Sequence, residues 1–281
     1  MNIAFTARRS YVTVGEPIAD TGNSVIYKGL DTTLKRTVGI KCIEIPGDTP
    51  LQRRRNLQMI EKEAAIMVLL GEDTVHIPCV FDAYTTPDNT HYYLFMQWID
   101  GETLREKMPQ IAPYQFIDYL IKLCDILSVI ERRKRNHKDI KPENIMIDSK
   151  NELFLLDFNI TDSLPNTVEG TQHYKAPEMG YQIKSVSRNH CDIFAVGVMM
   201  YEYFAKVLPT RGSTYSFSRL DIGHGAQWKK FTEPREIVPD IHPLANEIIV
   251  RCMKLSPEER YSRAGELQRQ LFKLKKEFRR K

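Results

Sequence analysis

Two short stretches carry polar side chains at a spacing that chemistry can use: "NHKDIKPENIMID" from Asn136 to Asp148, and "LFLLDFNIT" from Leu153 to Thr161. In the first, Asp139, Lys141 and Asn144 lie at offsets of two and three in a proline-containing loop. In the second, Asp157 follows an apolar run that delivers it to a strand end. Together they supply one carboxylate able to act as a base, a second carboxylate and an amide suited to a hard cation, and an ammonium for a phosphate. Mg²⁺ takes oxygen ligands and bridges phosphates with only one or two protein carboxylates. Magnesium-dependent phosphoryl transfer needs this inventory and little more. Singly, each residue has an ordinary structural use, such as a turn cap for Asp139. Their joint occurrence is what points to function.

The elements that must hold these groups are legible from periodicity. "YVTVGEPIA", "SVIYKGL" and "RTVGIKCIEI" are short β-branched runs that predict an antiparallel meander. The segment "PLQRRRNLQMIEKEAAIMVLLG" predicts a helix whose apolar positions Leu57, Ile60, Ala64, Met67 and Leu70 recur at helical spacing and stop at Gly71. "CVFDAYTT" and "HYYLFMQWI" predict two further strands. Beyond Asp100-Gly101 the chain turns helical. "PYQFIDYLIKLCDILSVIERR" carries a stripe through Phe116, Leu120, Leu123, Leu127 and Ile130. Three more helices are expected near residues 190–206, 242–254 and 263–280. There is no internal repeat and no low-complexity linker.

The ordered motifs resemble those of Hanks-type serine/threonine protein kinases of bacterial type, over nearly the whole chain. V-A-I-K appears as Val38-Gly39-Ile40-Lys41 and H-R-D-x-x-x-x-N as His137-Lys138-Asp139 through Asn144. D-F-G appears as Asp157-Phe158-Asn159, and A-P-E as Ala176-Pro177-Glu178. The resemblance implies an α+β, protein-kinase-like two-lobed fold: a small antiparallel β N-lobe with one main helix (1–98) and a larger, mostly helical C-lobe (99–281). It implies transfer of the γ-phosphoryl of ATP, with Mg²⁺ or Mn²⁺, to Ser/Thr hydroxyls of protein substrates, with self-association for autophosphorylation.

The residue roles carried over are these. Asp139 accepts the proton of the attacking hydroxyl and Lys141 neutralises the γ-phosphoryl in transfer. Asn144 and Asp157 hold the metal. Lys41 grips the α/β-phosphates and is held by Glu63, with Glu61 as the second candidate. Adenine lies between Ile26 and Gly39 on one side and Met146 on the other. It hydrogen-bonds to backbone near Gln97–Ile99, past a gatekeeper Met96. Ile18, Ala19, Gly22 and Ser24 belong to the loop that covers the phosphates. "GTQHYKAPE" resembles the peptide-docking segment, and Thr171 would bridge Asp139 and Lys141. Glu178 would pair with Arg260, and Asp192 would anchor the catalytic loop. The alternatives are a nucleotide-binding scaffold without turnover and a small-molecule kinase.

The phosphate loop departs from the pattern. Aligned to G-x-G-x-x-G it reads Ala19-Asp20-Thr21-Gly22-Asn23-Ser24, with no motif glycine kept. Backbone N–H groups grip phosphate, and these remain. Loss of glycine costs about 1–2 kcal/mol per strained residue, a ten- to thirtyfold weakening on the order-of-magnitude scale of rates. The loop is degraded but usable. Asn159 replaces a glycine, and asparagine tolerates positive φ best among the rest. Lys138 replaces an arginine that many family members use to bind a phosphorylated loop, and lysine lacks the bidentate fork. Weak dependence on phosphorylation of Thr161, Ser163 or Thr167 follows.

Charge and composition exclude other classes. Of 281 residues, 42% are hydrophobic and 27% charged, ordinary for a globular protein, and the net charge of +4 demands no polyanion partner. The basic runs at 53–55, 131–135 and 275–281 lack aromatic interleaving, so solvated helix faces explain them better than nucleic acid. The five cysteines are far apart and form no C-x-x-C pair, as expected for reduced, mostly buried thiols in a cytoplasmic protein. No stretch has the length and apolarity of a membrane span.

Overall fold

A computed structural model describes residues 9–20, 22, 24–158, 173–180, 190–209 and 232–279. The chain divides into two compact units, Met1–Asp100 and Gly101–Lys281.

The first unit is built on one antiparallel sheet. Its strands are β1 (Tyr11–Thr13), β2 (Ala19–Asp20), β3 (Ser24–Asp31), β4 (Arg36–Glu44), β5 (Val80–Thr85) and β6 (His91–Gln97), in the order β1-β3-β4-β6-β5 with β2 also on β3. The expected meander covers β1 to β4, and its first run breaks in two around Gly15, whose φ is +77°. Thereafter β6, not β5, lies beside β4. The reason is burial: Tyr92, Leu94 and Phe95 are buried, whereas β5 carries no buried residue and takes the edge.

Between β4 and β5 runs α1 (Pro50–Gly71). Thr49 caps it in a reciprocal box with Gln52, Pro50 opens its first turn, and Ala64, Met67 and Leu70 are its buried positions. The sheet has two distinct faces. Residues directly opposite in an antiparallel pair share a face. Ile26 pairs with Lys41 and Lys41 with Leu94, while Gly39 pairs with Met96. By the period of two, Ile26, Gly39, Lys41, Tyr92, Leu94 and Met96 share one side. The opposite side is an apolar cluster of Val38, Ile40 and Phe95, with the Tyr11 ring stacked on Phe95 at 3.8 Å.

The second unit begins with β7 (Gly101–Thr103), which joins β8 (Ile145–Asp148) and β9 (Leu153–Leu155) in a small antiparallel sheet. Gly101 is required there, because a Cβ would sit 2.1 Å from the Ile147 carbonyl oxygen. The helices are α2 (Leu104–Lys107), α3 (Pro113–Arg132), α4 (His190–Ala205), α5 (Pro234–Ile237), α6 (Pro243–Cys252) and α7 (Ala264–Arg279). All five stripe residues predicted on α3 are fully buried. Helix α7 packs along α3 through Leu267, Leu271 and Leu274 and is tied to it by Gln268–Asp125 and Lys275–Asp118. The short elements β7, α2 and α5 escape sequence reading because three or four residues show no period.

Among the described residues, Cys124, Cys191 and Cys252 are buried thiols, Cys42 is half-buried and Cys79 exposed. None of the described helices is long and apolar enough to cross a membrane.

Candidate active site

In the second unit the stretch from His137 to Asn144 is held from three directions. A 3₁₀ turn, Pro142–Asn144, leads it into β8. From below, Asp192 in the first turn of α4 accepts the His137 N–H at 2.9 Å and the Lys138 N–H at 2.8 Å. Two adjacent amides converge on one carboxylate, and Lys138 itself adopts φ +70°, a left-handed conformation that costs a non-glycine residue about 1 kcal/mol. Asp192 is 1% exposed. Burial pushes its carboxyl up from the ordinary range, while His137 and the two N–H donors pull it back.

His137 is itself fully buried and uses both ring nitrogens. Nε2 donates to the Leu156 carbonyl at 2.9 Å, and Nδ1 accepts the Asp139 N–H at 3.4 Å. That assigns the neutral tautomer, and burial lowers its pKa in the same sense. Phe158, also fully buried, meets the His137 ring edge-on at 4.7 Å.

Asp139 is the centre of the loop. Its Oδ2 accepts from Lys141 Nζ at 2.8 Å and from Asn144 Nδ2 at 2.9 Å. Asn144 Nδ2 also donates to the Asp139 carbonyl at 2.8 Å. With both amide hydrogens committed, Oδ1 is the one side-chain atom of Asn144 whose lone pairs could serve a cation. The Leu156 N–H donates to the Asn144 carbonyl at 2.8 Å. Leu156 is thus pinned on both sides, and Asp157 follows it at φ +53°. Asparagine and aspartate tolerate that region better than most residues. The donor set, one amide oxygen and one carboxylate, fits a hard divalent cation that draws its remaining ligands from phosphate and water. Among the described residues no cluster of three or more His, Cys, Asp or Glu stands ready to hold a metal alone.

Two devices brace this region, the first buried and the second partly exposed. Arg260 and Glu178 form a bidentate pair at 2.6 and 2.9 Å, and Arg260 also donates to the carbonyls of Lys254, His190 and Leu255. The Glu178–Arg260 and Asp192 contacts anticipated from the sequence are therefore present. The second device was not anticipated. Arg105 on α2 donates to Glu143 at 2.7 Å, to Glu202 on α4 at 2.6 Å and to the Tyr174 hydroxyl at 2.6 Å. Tyr174 in turn donates to Glu202. Burial and then Glu202 push the Tyr174 phenol well up, so it remains a donor. The four residues are separated by up to 97 positions. Only the position of Glu143, four residues after Asp139, hinted at this.

In the first unit, Ile26, Gly39, Lys41 and Met96 lie on the sheet face established above. Helix α1 packs on β5 and β6, and Glu63 is half-buried on it. The Tyr92 phenol, on the Lys41 side, is pushed up to about 12 by burial and then by the charges of Glu61 and Glu63. Lys41 and the two candidate glutamates therefore address the same side of the sheet. Ser24 is buried at the start of β3, whereas Ile18, Ala19 and Gly22 are exposed. Gln97 donates its N–H to the Cys79 carbonyl at 2.8 Å, and Ile99 is buried. A Cβ on Gly39 would lie 3.5 Å from Met96 Cγ, an ordinary contact, so glycine is not required there. Met146 is half-buried on β8, between Thr103 and Phe154. Asn159, Thr161, Ser163, Thr167 and Thr171, with Gly170 and Gln172 of the docking segment, lie outside the described residues.

Comparison with known proteins matches residues 13–272 to the protein kinase domain. Relatives include a probable serine/threonine-protein kinase of Clostridium acetobutylicum, 27% identical over 278 residues, covering 94% of this chain and 40% of that protein. Serine/threonine-protein kinase PknL of Mycobacterium tuberculosis is 27% identical over 259 residues, 88% of this chain and 61% of its own length. Serine/threonine-protein kinase PknB of Mycolicibacterium smegmatis is 25% identical over 277 residues, 93% and 42% respectively. The chain thus spans 40 to 61% of the length of these relatives.

Proposed function

The chain belongs to the protein kinase domain family, and from that premise we propose that it transfers the γ-phosphoryl of Mg-ATP to Ser/Thr hydroxyls of protein substrates. The observation that carries the reading is the Asp139 carboxylate, held by Lys141 at 2.8 Å and Asn144 at 2.9 Å in a loop pinned to Asp192. Asp139 accepts the proton of the substrate hydroxyl as that oxygen attacks the γ-phosphorus. The Lys141 ammonium, beside the base, offsets charge on the transferring group. Asn144 Oδ1 and Asp157 are the residues to hold Mg²⁺ or Mn²⁺, which neutralises charge on the phosphates when bound. Lys41, oriented by Glu63, holds the α/β-phosphates. Ile26, Gly39 and Met146 flank the adenine, and Gln97–Ile99 offer it backbone groups beyond Met96. Because the Gln97 N–H serves Cys79, the adenine bonds fall to the Gln97 carbonyl and to Ile99. The reading places the domain in the cytoplasm, where ATP is, and includes self-association for autophosphorylation.

Labelled ATP, a generic basic protein substrate and an Asp139→Asn control test it. The expected result is labelled protein, with transfer reduced about 10²- to 10⁴-fold by the substitution. Nucleotide binding without transfer identifies a scaffold instead. Turnover that labels neither this protein nor any peptide identifies a small-molecule kinase.

A further inference from the structure

The β2–β3 hairpin satisfies one of its own loop donors with a carboxylate. Strand β2 pairs with β3 through Ala19↔Ile26 and Asp20↔Val25, so Asp20 is the last paired residue before the tip. Gly22 follows at φ +81°. Its N–H donates to Asp20 Oδ1 at 2.8 Å. Both residues are exposed, and a Cβ on Gly22 would meet nothing within 4 Å, so there is room for the tip to accept something else. An outward backbone N–H in a tight turn is the kind of donor that a phosphate oxygen seeks. Here the chain already supplies it with an anion.

We propose that Asp20 is an internal anion that competes with the phosphates of the nucleotide for the Gly22 N–H. It also repels them once they arrive, and so sets the affinity for ATP. The inference rests on the reading of this hairpin as the phosphate-covering loop. It differs from the loss of the motif glycines, which acts through backbone freedom; Asp20 acts through charge and through a donor already in use. The bond is solvent-exposed and therefore easily exchanged, so Asp20 tunes binding without blocking it. A like charge about 4 Å away in water-like surroundings corresponds to a change in affinity of about fivefold.

The discriminating substitution is Asp20→Asn. Its amide oxygen still accepts the Gly22 N–H, because asparagine makes the same local turn, so shape is kept and charge removed. The position is exposed, and the variant should melt with the parent. Isothermal titration of both proteins with ATP, ADP and adenosine, with magnesium present, reads the effect. Asp20→Asn should bind ATP and ADP about fivefold more tightly and adenosine equally, and the gain should shrink at high salt as the charges are screened. Four results overturn the inference. ATP affinity that is unchanged does so, since charge then plays no part. ATP affinity that falls does so, since Asp20 then helps hold the metal. An equal gain for adenosine does so, since the loop has then merely loosened. In all three the nucleotide still binds, and the kinase reading stands. If neither protein binds any nucleotide, the kinase reading falls together with the inference.

Discussion

Replacing Asp192 by asparagine tests whether the His137–Asn144 loop owes its position to a single buried carboxylate. In the parent, two carboxylate oxygens meet two N–H donors, at 2.9 and 2.8 Å, from a residue 1% exposed. Asparagine keeps one acceptor and turns an NH₂ toward the other amide. One charge-assisted bond is lost, about 1.5–3 kcal/mol, and one buried donor is stranded, about 1–3 kcal/mol. Against this, the neutral amide escapes the burial that pushes the Asp192 carboxyl up, which offsets part of the loss. The bonds win, and the net destabilisation is about 2–4 kcal/mol. For a unit of this size that lowers Tm by about 5–15 °C in calorimetry. Activity should suffer separately. Asp139, the base of the proposed reaction, lies one residue beyond Lys138, and a displacement of about 1 Å in a reacting group can cost on the order of 100-fold. Steady-state kinetics should therefore show kcat down about 100-fold. A Tm within about 2 °C of the parent would refute the bond accounting. A large Tm loss with kcat unaltered would leave Asp192 a stability residue and refute the positioning role.

The neutral, buried His137 predicts sensitivity to mild acid. The unfolded chain takes up a proton near pH 6.5, but folded His137, its pKa lowered by burial, does not. The unfolded state then binds more protons, so stability falls with pH below 6.5, by at most about 1.4 kcal/mol per pH unit, until the folded value is reached. His190 is lowered in the same direction, again chiefly by burial. Urea midpoints at pH 7 and 5.5 should show the loss, and His137→Gln should reduce it; equal midpoints in the parent contradict the assignment. Two glycines separate close approach from mere occupancy. Gly197→Ala places a Cβ 2.5 Å from Cys252 Cβ and 2.9 Å from Met253 Cγ and should cost about 1–3 kcal/mol by calorimetry. Gly39→Ala meets Met96 at 3.5 Å and should leave stability and kcat within about twofold. A reversal of that order would mean the helix α4 backbone can yield where the sheet cannot.

Much of this protein can be read along the chain because its information is local. The amphipathic stripes of α1 and α3 and the stop at Gly71 depend on residues within a few positions of each other. So does the cluster Asp139-Lys141-Asn144, whose members meet because one short loop carries all three. Tertiary structure decided what distance and backbone angle control. It put β6 inside β5, since only the assembled sheet reveals which strand has two apolar faces to bury. It gathered Arg105, Glu143, Tyr174 and Glu202, four polar side chains that individually look like solvated surface. It also put the Gly22 N–H on Asp20, a contact that residue identity permits but does not dictate. Side-chain chemistry and short spacing are written in the order of residues; partners far apart in the chain, and the direction of a single amide, exist only once the chain has closed on itself.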